Sequence, residues 1–404
     1  MYKKLLSFLC AAALVIPAAG CAAEKKDADF PLTVGHTSLE SAVNRAVVLS
    51  ENAADIILQM GFDSRILAKS NECTQNALSS VDSVGKKDAP NTDEIKSLEP
   101  DVVIADSTIS DSSLAELHDN DIKVLRFAEI KTDKDLEIMY ETLGSLFEGK
   151  KTGSENGKLS YQKLLDQLDA NAKALPDIPR PKTVCYLFDY KGKTVTGDMM
   201  GNMIFTSSGA TNIAADKTGG HIDVKAIKKE NPQYIFCDTG MKDLLAKNSD
   251  FKGLLAVKNK RIVEIPANSF FCGGVSFLEA VKTITDTLYP NGKAGSVADS
   301  YDIKYDENTF YTIGDGADNE DDDTDGSRTN IINIQCRLDD LGYWPLDDMT
   351  GYYGETTAIA VAEFQSANEI ENGTGEADFE TLEKMFSDDA VARSEPIEKH
   401  SIDD

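Results

Sequence analysis

Between Gly157 and Leu175 the chain carries no proline, and Tyr161, Leu165, Leu168, Ala172 and Leu175 recur at steps of 4, 3, 4 and 3. That spacing draws one apolar stripe down a long helix, which Pro176, Pro179 and Pro181 then stop. What surrounds this helix is the same on both sides. Before it, Ala46–Ser50, Ile66–Ser70, Val102–Ala105 and Val124–Phe127 are short strand-like runs. Between them lie amphipathic stretches, one with Ala54, Ile57, Leu58 and Met60 on one side and one opening at Pro90-Asn91-Thr92-Asp93-Glu94-Ile95. After it, strands are expected at Thr183–Phe188, Tyr234–Cys237 and Arg261–Pro266, with a closing helix from Phe277 to Leu288. Alternation of this kind implies parallel or mixed sheets covered on both faces. The expected fold class is α/β, with two α/β lobes joined by one long bridging helix. The lobes span residues 31–152 and 182–290, with the bridge at 157–175.

The N-terminus reads as an export signal. Lys3 and Lys4 precede an apolar run from Leu5 to Pro17, too short for a membrane span, and then Ala18-Ala19-Gly20-Cys21. Small residues directly before a cysteine resemble the bacterial lipobox, with Ala18 where leucine is usual, and this implies lipidation of Cys21. The alternative is a plain secretory signal in which Cys21 is incidental. Residues 22–30 form a polar tether. Beyond Cys10 and Cys21, five cysteines remain at wide spacings without a C-x-x-C pair. They are expected as buried free thiols rather than a zinc or redox site.

Charge divides the chain as sharply. Of 69 acidic and 41 basic residues, 29 acidic and 7 basic fall between Asn291 and Asp404. That segment carries a balance of −22 out of a total of −28, which marks a change of domain and argues against nucleic acid as a partner.

The stretches Arg45–Gly61, Pro90–Ala105 and Phe251–Pro266, with the terminal Leu288-Tyr289-Pro290, resemble the class III solute-binding proteins, the receptors for iron-siderophores, haem and vitamin B12. Most specific are Pro-Asn-x-acid-x-Ile-x-x-Leu-x-Pro-Asp before a buried strand and Leu-x-Ala-Val-Lys-Asn-x-Arg-Ile. The resemblance covers about Pro31 to Pro290. It implies a ligand cleft between the lobes, small hinge motion, an ABC permease as partner and no resident cofactor.

Ligands of open α/β sheets sit beyond the carboxyl ends of the strands. Ser50, Glu51, Asn52 and Asp106 occupy such loops, and so do Phe270 and Phe271, whose rings could stack on a flat ligand or belong to the core. Met199 and Met200, in Gly197–Met203, could line an adaptable pocket or pack the next helix. Histidine is sparse, at His36, His118, His221 and His400, so a metal chelate or corrinoid is expected rather than a bare ion held by several imidazoles. The resemblance also implies docking on a permease through an acidic residue of each lobe. Asp93 and Glu94 keep that charge in the N-lobe. In the C-lobe the expected glutamate falls on Lys225, leaving Asp223 as the candidate.

Residues 291–330 read as an acidic linker. Asp321-x-Asp323-x-Asp325-Gly326 begins like a calcium loop, but its twelfth position is Ile332, so a solvated spacer is preferred. From Ile331 the pattern becomes helical, with Ile334, Leu338, Leu341 and a closing Gly342. A second helix carries Ala358, Val361 and Phe364, and a third carries Leu382 and Met385. Gln335-x-x-Leu338-x-x-Leu341-Gly342-Tyr343 and Gly351-x-Tyr353-Gly354-x-x-Thr357-x-x-Ala360-Val361-x-x-Phe364-Gln365 are similar to the type 1 peptidoglycan-binding domain. This small all-α three-helix module would span residues 331–387, with an acidic tail at 388–404. Tyr343, Trp344 and Tyr353 are the candidate peptidoglycan contacts. No catalytic constellation is found in either part. The chain is therefore expected to be no enzyme but an extracytoplasmic, lipid-anchored receptor for a metal chelate, also fastened to peptidoglycan. The alternative is a wall-anchored scaffold or sensor on a degenerate receptor fold.

Overall fold

The β-branched and apolar runs become strands buried on both faces: Val47, Val103, Ile104, Val184 and Ile235 are fully enclosed. The computed structural model describes residues 29–130, 132–178, 180–316, 326–371 and 373–401. The export segment with Cys21, most of the tether, and Asp321, Asp323 and Asp325 lie outside the described residues.

A small antiparallel hairpin, β1 (Leu32–Val34) and β2 (Thr37–Leu39), precedes the N-lobe sheet. That sheet is built from β3 (Ala46–Val48), β4 (Ile66–Lys69), β5 (Val102–Asp106) and β6 (Val124–Phe127), all parallel, in the order β4-β3-β5-β6. Helices α1 (Glu51–Gln59), α2 (Thr92–Ser97) and α3 (Asp111–Asp119) make its crossovers. An antiparallel helix pair follows, α4 (Asp133–Glu148) and α5 (Thr152–Lys173).

The C-lobe runs β7 (Lys182–Leu187), α6 (Asn202–Ser207), β8 (Ala210–Asn212), α7 (Val224–Glu230), β9 (Tyr234–Cys237), α8 (Lys242–Lys247), α9 (Leu255–Lys258), β10 (Ile262–Glu264) and α10 (Val275–Leu288). Its parallel sheet has the order β10-β9-β7-β8. Counted within each lobe, both sheets follow the order 2-1-3-4, so each has a switch point between its first and third strands.

The bridging helix α5 starts five residues before the expected Gly157 and ends two before Leu175. Glycine suggested a helix start, but Gly153 and Gly157 are interior. A Cβ on Gly153 would lie 2.1 Å from the Gly144 carbonyl oxygen, so α4 and α5 touch backbone to backbone. Along α5, Leu164 enters the N-lobe core and Leu168 the C-lobe core. Near the end Asn171, not the exposed Ala172, faces inward and donates to the Ser207 carbonyl at 2.7 Å.

The segment expected as a linker is structured over its described part. Helix α11 (Val297–Tyr301) is held by a Ser296/Asp299 capping box. Val297, Tyr301, Ile303 and Tyr311 share one core with Ile331, Leu338, Trp344 and Phe364. The C-terminal unit thus adds residues 297–316 to α12 (Ser327–Asp340), α13 (Glu355–Ala367) and α14 (Phe379–Met385). A run of acidic residues hid four apolar anchors at intervals too irregular to read as an element. The expected tail corrects in the same way. It folds back as a strap, with Arg393 N–H on the Leu341 carbonyl at 2.9 Å and Ile397 N–H on that of Gly342 at 3.1 Å.

Candidate functional site

Between the lobes lies a cleft of about 690 Å³, and all eight expected ligand residues border it: Ser50, Glu51, Asn52, Asp106, Met199, Met200, Phe270 and Phe271. They arrive there because β3 and β5 flank the N-lobe switch point, and the loops after them open on the same side. The eight do not have equal access to a ligand.

Ser50 is buried and is the N-cap of α1, its side chain accepting from the Ala53 N–H. Asn52 accepts from the Gly273 N–H at 3.0 Å, across the lobe boundary. Ser50 is thus a buried brace, which corrects its expected role as a contact, whereas Asn52 braces the lobe boundary through its side-chain oxygen and, only partly buried, still borders the cleft. Phe270 corrects likewise. It is 1% exposed and wedged against Tyr186, ring centroids 4.0 Å apart, and Phe205 at 5.6 Å. Phe271 is the available ring, 48% exposed and stacked on Phe188 at 5.2 Å. Met199 and Met200 are partly buried against the C-lobe core, and Met200 also touches the N-lobe core.

Sequence reasoning missed the residue that organises the N-lobe wall. Lys87 lies 3.0 Å from Glu51 and 3.6 Å from Asp106. Burial alone would lower its pKa, but the Glu51 hydrogen bond and the charges of Glu51 and Asp106 outweigh it and raise the value. Lys87 sits on the loop between Gly85 and Pro90, which pair with each other, so its placement depends on a tertiary turn. Glu129 and Asp198 border the cleft too. Hydrogen bonds from Thr196 and from the Gly219 N–H hold the Asp198 carboxyl below its ordinary range. Among the described lining residues, Lys87 is the one cation facing four carboxylates. Phe127, Ile130, Met139 and Cys272 complete the apolar lining. His221 is not among the lining residues.

A second feature that the sequence did not disclose fastens the lobes at the base of this cleft. Asp55 on α1 is fully buried and accepts from the Gly274 N–H (2.8 Å), the Ser276 N–H (3.0 Å) and the Ser276 hydroxyl (2.6 Å). The N-terminus of α10 has no side-chain cap of its own, so the N-lobe supplies one. Tyr140 adds a 2.7 Å hydrogen bond to the Gly273 carbonyl.

On the rim, Asp93 and Glu94 occupy the first turn of α2, Asp93 exposed and Glu94 partly so. In the C-lobe α7 holds the equivalent place, before the third strand. There Asp223 is the N-cap, accepting from the Lys225 N–H at 2.7 Å, and Lys225 is exposed.

In the C-terminal unit the expected wall contacts are buried. Tyr343, Trp344 and Tyr353 are at most 1% exposed. Their polar atoms are satisfied internally, on the carbonyls of Val391, Asp348 and Gly375 respectively. The motif residues are framework as well. Gln335 accepts from the Gly351 N–H and donates to Thr357, while Gln365 accepts from the Gly375 N–H and donates to Thr381. Gly351 and Gly375 both have positive φ, 72° and 76°, which glycine adopts without strain. The large apolar side chains that this unit exposes are Phe310, Ile313, Tyr352, Ile359 and Val391.

Residues 47–269, more than half of the chain, match the family model described as periplasmic binding protein, and residues 327–385 match that of a putative peptidoglycan binding domain. A cobalamin-binding protein of Halobacterium salinarum is 27% identical over 209 residues, covering 48% of this chain and 55% of the relative. The chain thus spans little more than half the length of that curated relative. Among solved structures, a possible iron-binding, periplasmic solute-binding protein of Staphylococcus epidermidis superposes with a TM-score of 0.50 at 19% identity, over 62% of this chain and all of that one. A periplasmic haem-binding protein of Vibrio cholerae does so with 0.51 at 20% identity, over 61% and 99%. At such identities they establish the fold. The chain belongs to the periplasmic binding protein family and carries a C-terminal peptidoglycan-binding-type domain.

Proposed function

We propose that this family member is an extracytoplasmic receptor of ABC-importer type for a bulky metal chelate, specifically a corrinoid, and that its C-terminal domain holds it to peptidoglycan. One observation carries the ligand class. The cleft is large enough for a macrocycle, and its one cation among the described lining residues is already engaged by Glu51 and Asp106. A ligand rich in carboxylates or catecholates would meet Glu51, Asp106, Glu129 and Asp198 with no further cation among the described lining residues. A neutral or cationic chelate whose edge carries amide donors would meet acceptors instead. Phe271 and the two thioethers supply a soft apolar face opposite. The relative's cobalamin binding agrees with this reading. Family membership supports a binding protein rather than an enzyme, and it supports a place in the cell envelope. Acylation of Cys21 would add the membrane anchor.

The test is calorimetric titration with cobalamin, haem and ferric catecholate and hydroxamate siderophores. Binding of cobalamin alone, weakened by Phe271→Ala, is expected. Tight binding of haem or of an anionic siderophore would overturn the ligand class. Loss of fatty-acid label in Cys21→Ala checks the anchor, and pelleting with purified sacculi checks the wall domain.

A second reading has its own observation. The C-lobe rim presents Lys225 where an acid is expected, and Asp223 caps its helix. A receptor that binds ligand but never associates with a permease would be a wall-held scaffold or sensor.

A further inference from the structure

The C-terminal unit meets the C-lobe at the end opposite the cleft, and the contact is centred on a buried charge cluster with more exposed ion pairs at its margin. Asp302 follows α11, and its side chain is 4% exposed. It pairs with Arg261, lies 3.5 Å from the Lys182 ammonium and accepts from Gln233 at 2.9 Å. Lys182 begins β7, Gln233 directly precedes β9 and Arg261 directly precedes β10. Three adjacent strands thus present their amino-terminal ends to one carboxylate of the following unit. Gln233 also donates to the Ser300 carbonyl at 3.1 Å, and Lys182 to that of Asp299.

The contact continues into α12. Arg180 lies over the Tyr301 ring at 4.9 Å and 3.4 Å from Asp340, which Tyr301 also reaches through its hydroxyl. At the far edge Lys229, in the last turn of α7, lies 3.3 Å from Asp348.

We infer that the wall-type domain is welded in fixed register to the cleft-distal end of the C-lobe, so that permease and peptidoglycan are met at opposite ends of one rigid body. Domains joined through a small polar contact ordinarily move relative to each other. This contact differs in that any other register would strand Lys182 and Asp302 in a buried site without partners. Its placement follows from the topology. Parallel strands put the cleft loops at their carboxyl ends and this seam at their amino ends, about 20 Å apart along the six residues of β7. Helix α7 runs back between the two, with Asp223 at its start and Lys229 against the domain at its end. The two-ended orientation rests on the wall-binding reading above. The weld does not.

The experiment is single-molecule energy transfer on the full chain in detergent, with fluorophores on non-canonical residues replacing the exposed Leu244 of the C-lobe and Ile359 of α13. One narrow distance population is expected, lost in Asp302→Ala and in Arg180→Ala, the milder variant. A broad population in the unmodified chain would overturn the weld. A narrow one surviving both substitutions would overturn its assignment to these groups. Sacculus pelleting of the unlabelled full chain is scored separately, and failure to pellet alongside a narrow population would overturn the two-ended orientation together with the wall reading.

Discussion

The N-lobe and the C-lobe are laid out on one strand order, yet they weight the cleft differently. The N-lobe contributes three of the four carboxylates together with Lys87, and the C-lobe contributes Asp198 beside Met199, Met200 and the exposed face of Phe271. At the rim the helix before the third strand carries two acids in one lobe and a lysine after a capping aspartate in the other. The shared topology explains where these loops are. It does not explain what they carry, because loop side chains are free of the packing constraints that hold the sheets.

The largest test of this comparison removes what the lobes share. Asp55→Ala leaves the N–H groups of Gly274 and Ser276 buried without acceptors, and urea denaturation is expected to show a loss of about 3–5 kcal/mol. The carboxyl also has a pH signature. Burial pushes its pKa up, and hydrogen bonds from Ser276, Gln75 and Gly274 only partly pull it back. Its linkage contribution is therefore present below the ordinary carboxylate range and lost as pH rises through the raised value. Acidification should favour the parent chain relative to Asp55→Asn in paired denaturation curves.

Next in size, Phe271→Ala should weaken the cognate chelate by about tenfold, roughly 1.4 kcal/mol, with the melting temperature unchanged because the ring is half-exposed. Equal loss of affinity in Phe270→Ala without unfolding would reverse the roles assigned to the two rings. Lys87→Ala should cost about 1 kcal/mol of stability, discounted for partial exposure, by leaving Glu51 and Asp106 facing each other. It should also discriminate further against anionic ligands. The smallest effect is expected of Lys225→Glu, about 0.5 kcal/mol of helix stabilisation at the α7 N-terminus. Pull-down of the permease at low salt should strengthen in that variant. No change would mean that the rim difference between the lobes has no docking consequence.

Seven of the eight strands of the two lobe sheets were legible in sequence because buried strands write themselves as unbroken runs such as Val102–Ala105 and Tyr234–Cys237, whereas the three-residue Ala210–Asn212 at the C-lobe edge carries no such run and was missed. Once strand ends are known, the cleft loops follow, and all eight expected ligand residues do border the cleft. Which of them are free to touch a ligand was not legible. Ser50 caps α1 and Asn52 lies in its first turn, and a single sequence does not show partners more than 200 residues away, as with Asn52 and Gly273. Asp55 reads as a surface residue of an amphipathic helix until α10 arrives on top of it. In the C-terminal unit a lone tryptophan beside a tyrosine suggests a glycan platform. Trp344 is instead core, since in so small a unit the largest side chains are needed to build an interior.

On the receptor reading proposed above, the Asp55 clasp has a consequence for how cargo would be exchanged. Spreading the lobes would strip a helix of its cap and leave a carboxylate in an apolar seam, so opening is coupled to loss of a structural bond rather than to a free hinge. Capture should then proceed into a preformed site, with encounter governed by diffusion and residence time by the wall contacts. Unloading is the harder direction. If a permease is the partner, it would have to grip both rims and pull, and the mechanical work done there, rather than any spontaneous gaping, would set the pace of delivery.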